Sequence, residues 1–190
     1  QRWWHSDANP VALGFIASSG QLELSYELAA NQVESIARHS PEYTWRYLLN
    51  MACINIERRE FDEAAAALES ARPHILNRVQ SGMFKVVEAR LLAARGDFAA
   101  ARNAINTPSS SLGEDITTGF RSKLTEARIA FESGETRTAD LILRRTAWPK
   151  DLFLRNFGDP HPVLLLALVS AEKGEMDEAL SLANEVLEQA

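Results

Sequence analysis

The chain repeats a short pattern of apolar and polar positions, and the clearest copy runs from Glu60 to Ala71. An acidic residue and an aromatic residue are followed by small or aliphatic residues at intervals of three or four positions. This spacing places the apolar side chains on one face of an α-helix, whereas a half-buried strand would need strict alternation. The apolar face consists of Phe61, Ala64, Ala65, Leu68 and Ala71.

Four further copies of this pattern are spread over the whole chain. The first small residue of the pattern recurs at intervals of 39, 37, 38 and 40 residues. Intervals this regular are typical of stacked structural repeats, in which each unit buries its apolar face against the next unit. The five positions are Ser25, Ala64, Ala101, Ala139 and Ala179.

Each repeat is predicted to be a pair of antiparallel helices joined by a tight turn, because the segment before each copy has a helical periodicity of its own. The first helices are expected over 10–18, 42–58, 79–94, 116–132 and 162–173, and the second helices over 21–38, 61–74, 97–105, 136–146 and 176–189. No segment has the alternation of a strand, so the fold class is all-α. We expect a single domain over 1–190, with repeats at about 8–39, 40–77, 78–107, 114–147 and 160–190.

A second set of small residues lies on the predicted first helices. Ala52, Ala89, Ala127 and Ala167 each precede the small residue of their own repeat by 12 positions. Small residues that face each other allow two helix axes to approach closely. In this order of small residue, short turn, aromatic residue, alanine and larger apolar residue, the chain resembles the tetratricopeptide-repeat (TPR) proteins. The resemblance implies an α-α superhelix, a TPR-like solenoid of about five antiparallel helix pairs.

The repeat interval of 37 to 40 residues is longer than the usual TPR interval of 34. In this respect the chain resembles the repeat arrays of large bacterial transcription regulators of the maltose-activator type. The resemblance implies a non-enzymatic scaffold that binds a protein or peptide in a concave groove. Two alternatives are an effector-sensing repeat domain of a bacterial transcription regulator and an extracytoplasmic TPR domain of a membrane assembly protein. In each case we expect the chain to be part of a larger protein.

By the same resemblance, the partner-binding groove is formed by first-helix residues that face away from the small-residue seam. Arg90 and Arg128 occupy equivalent positions in successive repeats, so we expect them side by side. Adjacent guanidinium groups can bind a carboxylate or a phosphate in a bidentate manner. Alternatively, the two arginines pair with acidic neighbours, for which the candidates are Glu57, Glu88 and Glu126. The expected groove residues are Arg46, Asn50, Cys53, Glu57, Arg90, Arg121, Arg128 and Phe131.

Two connecting segments and the last helix depart from the repeat pattern. Residues 106–115 are small and polar and are predicted to form an exposed loop. Residues 147–160 include Trp148, Phe153 and Phe157, and this apolar segment is either a short extra helix on the edge of the array or a docking loop for a partner. The last predicted helix has a broad apolar face, which suggests a homodimer or further repeats.

Composition narrows the function classes. A net charge of −6 argues against direct binding of nucleic acid, which requires a basic surface. The four histidines are scattered, Cys53 is the one cysteine, and no glycine-rich phosphate loop occurs. We therefore expect no catalytic residues, no metal, no cofactor and no enzymatic activity. No apolar run reaches the roughly 20 residues of a membrane span, so no membrane insertion is expected. We expect a cytoplasmic location, with a periplasmic or other extracytoplasmic location as the alternative.

Overall fold

The computed structural model describes residues 21–106, 116–148 and 162–188. Within these ranges nine α-helices occur in the predicted order and no strand occurs, which confirms the all-α prediction for this part of the chain. The helix predicted over 10–18 lies outside the described residues. The helices are α1 (Leu22–His39), α2 (Thr44–Glu57), α3 (Phe61–Ala71), α4 (Arg78–Ala94), α5 (Phe98–Asn106), α6 (Ile116–Glu132), α7 (Thr136–Arg145), α8 (Pro162–Glu172) and α9 (Met176–Glu188).

A proline lies in the turn at each of the two clearest differences between predicted and observed helix ends. Pro41 begins a short 3₁₀ turn, and α2 starts at Thr44 and not at 42. Pro73 lies in a second 3₁₀ turn, and α3 ends at Ala71 and not at 74. Pro73 has no N–H to donate to the Glu69 carbonyl, and its ring collides with that carbonyl, so α3 does not continue. Pro41 similarly prevents α1 from continuing, and it does not itself set the start of α2.

The turn that closes each helix pair has one residue with positive φ. In the α4–α5 pair this residue is Gly96, whose φ is 83° and whose N–H donates to the Ala93 carbonyl at 2.8 Å. Gly134 and Gly174 hold the same position in the next two pairs, with φ of 81°. Arg59 holds it in the α2–α3 pair, with φ of 62°, although this backbone conformation is unfavourable for a residue with a side chain.

The helices pack in the order of the chain. The pairs α2–α3, α4–α5, α6–α7 and α8–α9 make the most extensive contacts, and α1 packs on α2. The first helices also contact one another in succession, from α2 to α4, then to α6 and to α8. Each of the second helices α3, α5 and α7 additionally contacts the first helix of the following pair.

No helix pair in the described part of the chain has a core of its own. One apolar cluster joins residues of α2, α3 and α4, a second joins α4, α5 and α6, and a third joins α6, α7 and α8. Each of these three clusters therefore combines one pair with the first helix of the next pair, which is the dependence between neighbours that stacked repeats show. A fourth, smaller cluster joins α1 and α2. The seam within the pairs is made of fully buried alanines, namely Ala52, Ala89 and Ala127 opposite Ala64, Ala101 and Ala139.

Candidate functional site

The succession of first helices creates one continuous face. Because α2 contacts α4 and α4 contacts α6, residues at equivalent repeat positions lie next to each other across these helices. We call this side of α2, α4 and α6, which bears Glu57, Arg90 and Arg128, the first-helix face. It is the surface on which the groove residues were expected.

Glu57 lies at the centre of the charged residues on this face. Its Oε1 accepts from Arg90 Nη2 at 3.1 Å and from Arg128 Nη1 at 3.4 Å. One carboxylate of α2 thus contacts both of the following first helices. The two arginines lie side by side, and they do so around an acidic neighbour, as in the alternative considered from the sequence.

Each arginine has a second partner. Arg90 Nη1 lies 3.6 Å from the sulfur of Cys53, within the buried part of the face. Arg128 Nε donates to Glu132 Oε1 at 2.7 Å, one helical turn further along α6. These contacts bring two guanidinium groups, those of Arg90 and Arg128, against two carboxylates, those of Glu57 and Glu132. Of the other candidate acids, Glu88 lies 3.8 Å from Arg72, and Glu126 pairs with Lys123 at 2.7 Å.

The expected groove residues divide into buried and accessible ones. Asn50, Arg90 and Arg121 are 3%, 4% and 2% exposed, so their side chains belong to the helix packing and do not form an open surface. Arg128 and Glu57 remain accessible at about a third of their side chains, 27% and 35% respectively. The accessible part of the first-helix face is consequently narrower than the sequence suggested.

Arg46 lies on α2 nearer its N-terminus, and it is half-buried. Burial lowers the pKa of its guanidinium from the ordinary value, and the nearby Tyr47 and Tyr43 act in the opposite direction. Its side chain has no ion pair within the described part of the chain. A carboxylate brought close to Arg46 would offset the cost of its burial.

The aromatic candidates take part in the apolar packing. Phe131 packs against the cluster shared by α6, α7 and α8. Trp148 packs against the same cluster, its Nε1 donates to the Leu143 carbonyl at 2.8 Å, and its ring centre lies 5.7 Å from that of Phe120. Trp148 is thus part of the packing between these helices. Phe153 and Phe157, the other two residues of the expected docking loop, lie outside the described residues.

None of the aspartate, glutamate or histidine side chains in the described ranges is buried, and no group of three potential metal ligands occurs among the described residues. None of the helices in these ranges has the length and apolar character that crossing a membrane requires. The chemistry that the first-helix face offers is hydrogen bonding and charge pairing.

Sequence reasoning missed two features of the charged network. Glu132 was not among the candidate acids, although it follows Arg128 by four residues, a spacing that brings two side chains of a helix together. The salt bridges between neighbouring pairs were also missed. Arg58 pairs with Glu23 at 3.1 Å, and Arg95 pairs with Asp62 at 2.8 Å. In both cases a basic residue at the end of a first helix meets an acid at the start of the preceding second helix.

Comparison of the chain with protein-family models, with curated proteins and with solved structures finds no match. The resemblance to TPR proteins therefore depends on the repeated sequence pattern.

Proposed function

We propose that the chain is a non-enzymatic protein-interaction module whose helix pairs form a TPR-like superhelix, and that it binds a protein or peptide across the first-helix face. The order of contacts supports this proposal, because first helices that pack in succession make an extended surface with repeated residue positions. The shared apolar clusters support it as well, since they make the array one continuous scaffold.

The observation that carries the proposal is the network in which Glu57 joins Arg90 and Arg128 across three helices. Buried Arg90 and partly exposed Glu57 fix one another, so the accessible ends of Glu57, Arg128 and Glu132 are held in place before a partner arrives. Ordering these side chains in advance reduces the entropy that binding would otherwise cost. Arginine is also enriched at the centres of protein interfaces.

The charges of the face define the kind of partner. Because the carboxylates of Glu57 and Glu132 lie against Arg128, they oppose the approach of a simple anion to that arginine. A polypeptide segment that carries both signs fits better, with a carboxylate directed to Arg128 or Arg46 and a donor group directed to Glu57 or Glu132. Complementary charges of this kind contribute to specificity and to the rate of association more than to affinity.

The test is crosslinking and affinity purification of the full chain from the cells that produce it, followed by identification of bound proteins. Arg128→Ala should lose a defined set of partners that the unchanged chain retains. Lys123→Ala is the matched control, because Lys123 lies on the same helix and also pairs with an acid, Glu126, outside the network. Circular dichroism must show that both variants keep their helical content.

Two results would contradict the proposal. If Arg128→Ala retains every partner that the unchanged chain retains, the first-helix face does not bind those partners. A small metabolite that raises the unfolding temperature of the chain, with no protein partner recovered, would favour the effector-sensing alternative. A ligand at a hundredfold excess over its dissociation constant adds about 2.7 kcal/mol to the free energy of unfolding, which a thermal melt detects.

A further inference from the structure

The last described helix exposes an apolar stripe. Met176, Leu180 and Leu187 are 55%, 58% and 72% exposed, and the half-buried Ala183 lies between them. Their spacing of four, three and four residues places all four side chains on one face of α9. We call these four residues the terminal stripe. Exposed leucines occur singly on many proteins, whereas a continuous stripe on one helix indicates a contact surface.

The equivalent positions in the preceding second helices contact the pair that follows. Tyr26 of α1 and Arg102 of α5 correspond to Leu180. The guanidinium of Arg58 lies 4.7 Å from the centre of the Tyr26 ring, and Arg102 donates to Ser133 Oγ at 2.7 Å. Arg58 and Ser133 each stand at the end of the next first helix.

Two further second helices, α7 and α3, also contact the pair that follows them. Asp140 of α7 also corresponds to Leu180, and it pairs with Lys173 just after α8 at 3.3 Å. Arg72, at the end of α3, corresponds to Leu187, and its guanidinium lies 4.9 Å from the centre of the Phe84 ring on α4. For each of the four second helices before α9, one residue equivalent to a stripe residue therefore contacts the next first helix or a residue that ends it.

An acidic residue next to the stripe indicates the charge that a partner of this surface would carry. Asp177 is exposed on α9 and occupies the position that Glu23 and Asp62 hold in α1 and α3. Those two acids bind Arg58 and Arg95, the basic residues at the ends of α2 and α4. The equivalent partner of Asp177 would be an arginine or lysine at the end of a helix that covers the terminal stripe.

A second copy of α9 cannot supply that basic residue. The sequence of α9, MDEALSLANEVLE, contains four acidic residues and no lysine or arginine. Two copies of α9 packed stripe to stripe would bring like charges together, which opposes association. The charge pattern thus favours a different helix as the occupant.

We infer that the terminal stripe and Asp177 form a docking surface for one amphipathic partner helix whose last turn carries an arginine or lysine. The apolar face of that helix covers Leu180 and Leu187, and its terminal basic residue binds Asp177. This surface is separate from the first-helix face, so the inference does not rest on the proposed function.

The test uses two peptides with the stated chemistry, copied from the chain itself: residues 44–60 of α2 and residues 78–97 of α4. Each is labelled with a fluorophore, and its binding to the full chain is measured by fluorescence anisotropy. At least one peptide should bind saturably. Leu180→Asp should weaken that binding about tenfold or more, because it places a charge within the apolar contact. Leu141→Asp, at an exposed leucine of α7 that is 48% exposed, should leave it unchanged.

A charge exchange separates specific docking from unspecific adhesion. Asp177→Lys should weaken binding of whichever peptide binds about three- to tenfold. The same peptide with its terminal arginine reversed, Arg58→Glu or Arg95→Glu, should bind that variant more tightly than it binds the unchanged chain. The inference is overturned if neither peptide binds saturably, or if Leu141→Asp weakens binding as much as Leu180→Asp. It is also overturned if analytical ultracentrifugation shows a dimer of the full chain that Leu180→Asp dissociates, since a second copy would then occupy the stripe.

Discussion

In the α2–α3 pair the second helix is covered by α4, whereas in the α8–α9 pair the equivalent face of the second helix is exposed. Ala65 of α3, which holds the position equivalent to Leu180, is partly buried and packs against the cluster shared with α4. Leu180 of α9 is 58% exposed, although its pair closes through the same kind of turn and the same small-residue seam.

The difference shows which contacts each pair makes alone and which require a neighbour. Pairing of the two helices depends on residues that face each other within one repeat, so it is the same in both pairs. Burial of the side of the second helix that faces the next pair depends on the helix that follows. A repeat pattern therefore predicts the helix pair reliably, while the burial of any one residue depends on its place in the array.

The largest effect is expected inside the apolar cluster that α4 completes, to which the 4% exposed Leu68 of α3 belongs. Leu68→Ala should lower the free energy of unfolding by about 2–5 kcal/mol, because it removes buried apolar contacts and leaves a cavity. Leu180→Ala is the comparison on α9 and should change it by about 0.5 kcal/mol or less. Chemical denaturation followed by circular dichroism measures both values. Equal losses would mean that Leu180 is as closely packed as Leu68.

A smaller effect of opposite sign is expected at the turns of the two pairs. Arg59→Gly should raise the free energy of unfolding by about 0.5–1 kcal/mol, because glycine adopts positive φ without steric cost. At the corresponding turn of α8–α9, Gly174→Ala should lower it by about 1 kcal/mol. No atom lies within 4 Å of the added Cβ there, so the loss is purely conformational. Thermal melts compare the unfolding temperature of each variant with that of the unchanged chain. A higher unfolding temperature for Gly174→Ala would contradict the expectation.

The smallest effect concerns the exposed contacts that hold α9 to the array. Glu178 accepts from Arg144 of α7 at 2.7 Å and from the buried Ser170 of α8 at 2.9 Å. These hydrogen bonds, with the charges of Arg144 and Lys173, lower the pKa of Glu178 from 4.5 to about 2. A carboxyl group with a lowered pKa in the folded state stabilises the fold above its ordinary pKa, and the contribution is lost as the pH falls through the lowered value.

Glu178→Gln should therefore lower the unfolding temperature at neutral pH by a small amount, and the difference should disappear as the pH approaches about 2. The matched control is Glu63→Gln, since Glu63 holds the equivalent position in α3 and has no ion pair in the described ranges. Melting curves from neutral pH downward compare the two variants. A difference for Glu178→Gln that stayed constant down to the lowest pH would exclude the assigned contacts.

The candidate site was only partly predictable from the sequence. The repeat spacing predicts that Arg90 and Arg128 occupy equivalent positions, and in the structure both contact Glu57. The spacing does not predict that Arg90, Asn50 and Arg121 are buried, because burial depends on how close adjacent first helices lie. The aromatic residues illustrate the same limit. Trp148 has the sequence character of a docking residue, and its position against Phe120 makes it part of the helix packing.

The sequence alone determined the all-α class, the order of the helices and nearly all of their described bounds. It could do so because helical periodicity, capping and proline act within a few residues of one another. Tertiary structure decided which faces are covered, which arginines are accessible and which carboxylate joins them. These depend on residues such as Glu57 and Arg128, which are 71 positions apart and meet only when successive pairs pack.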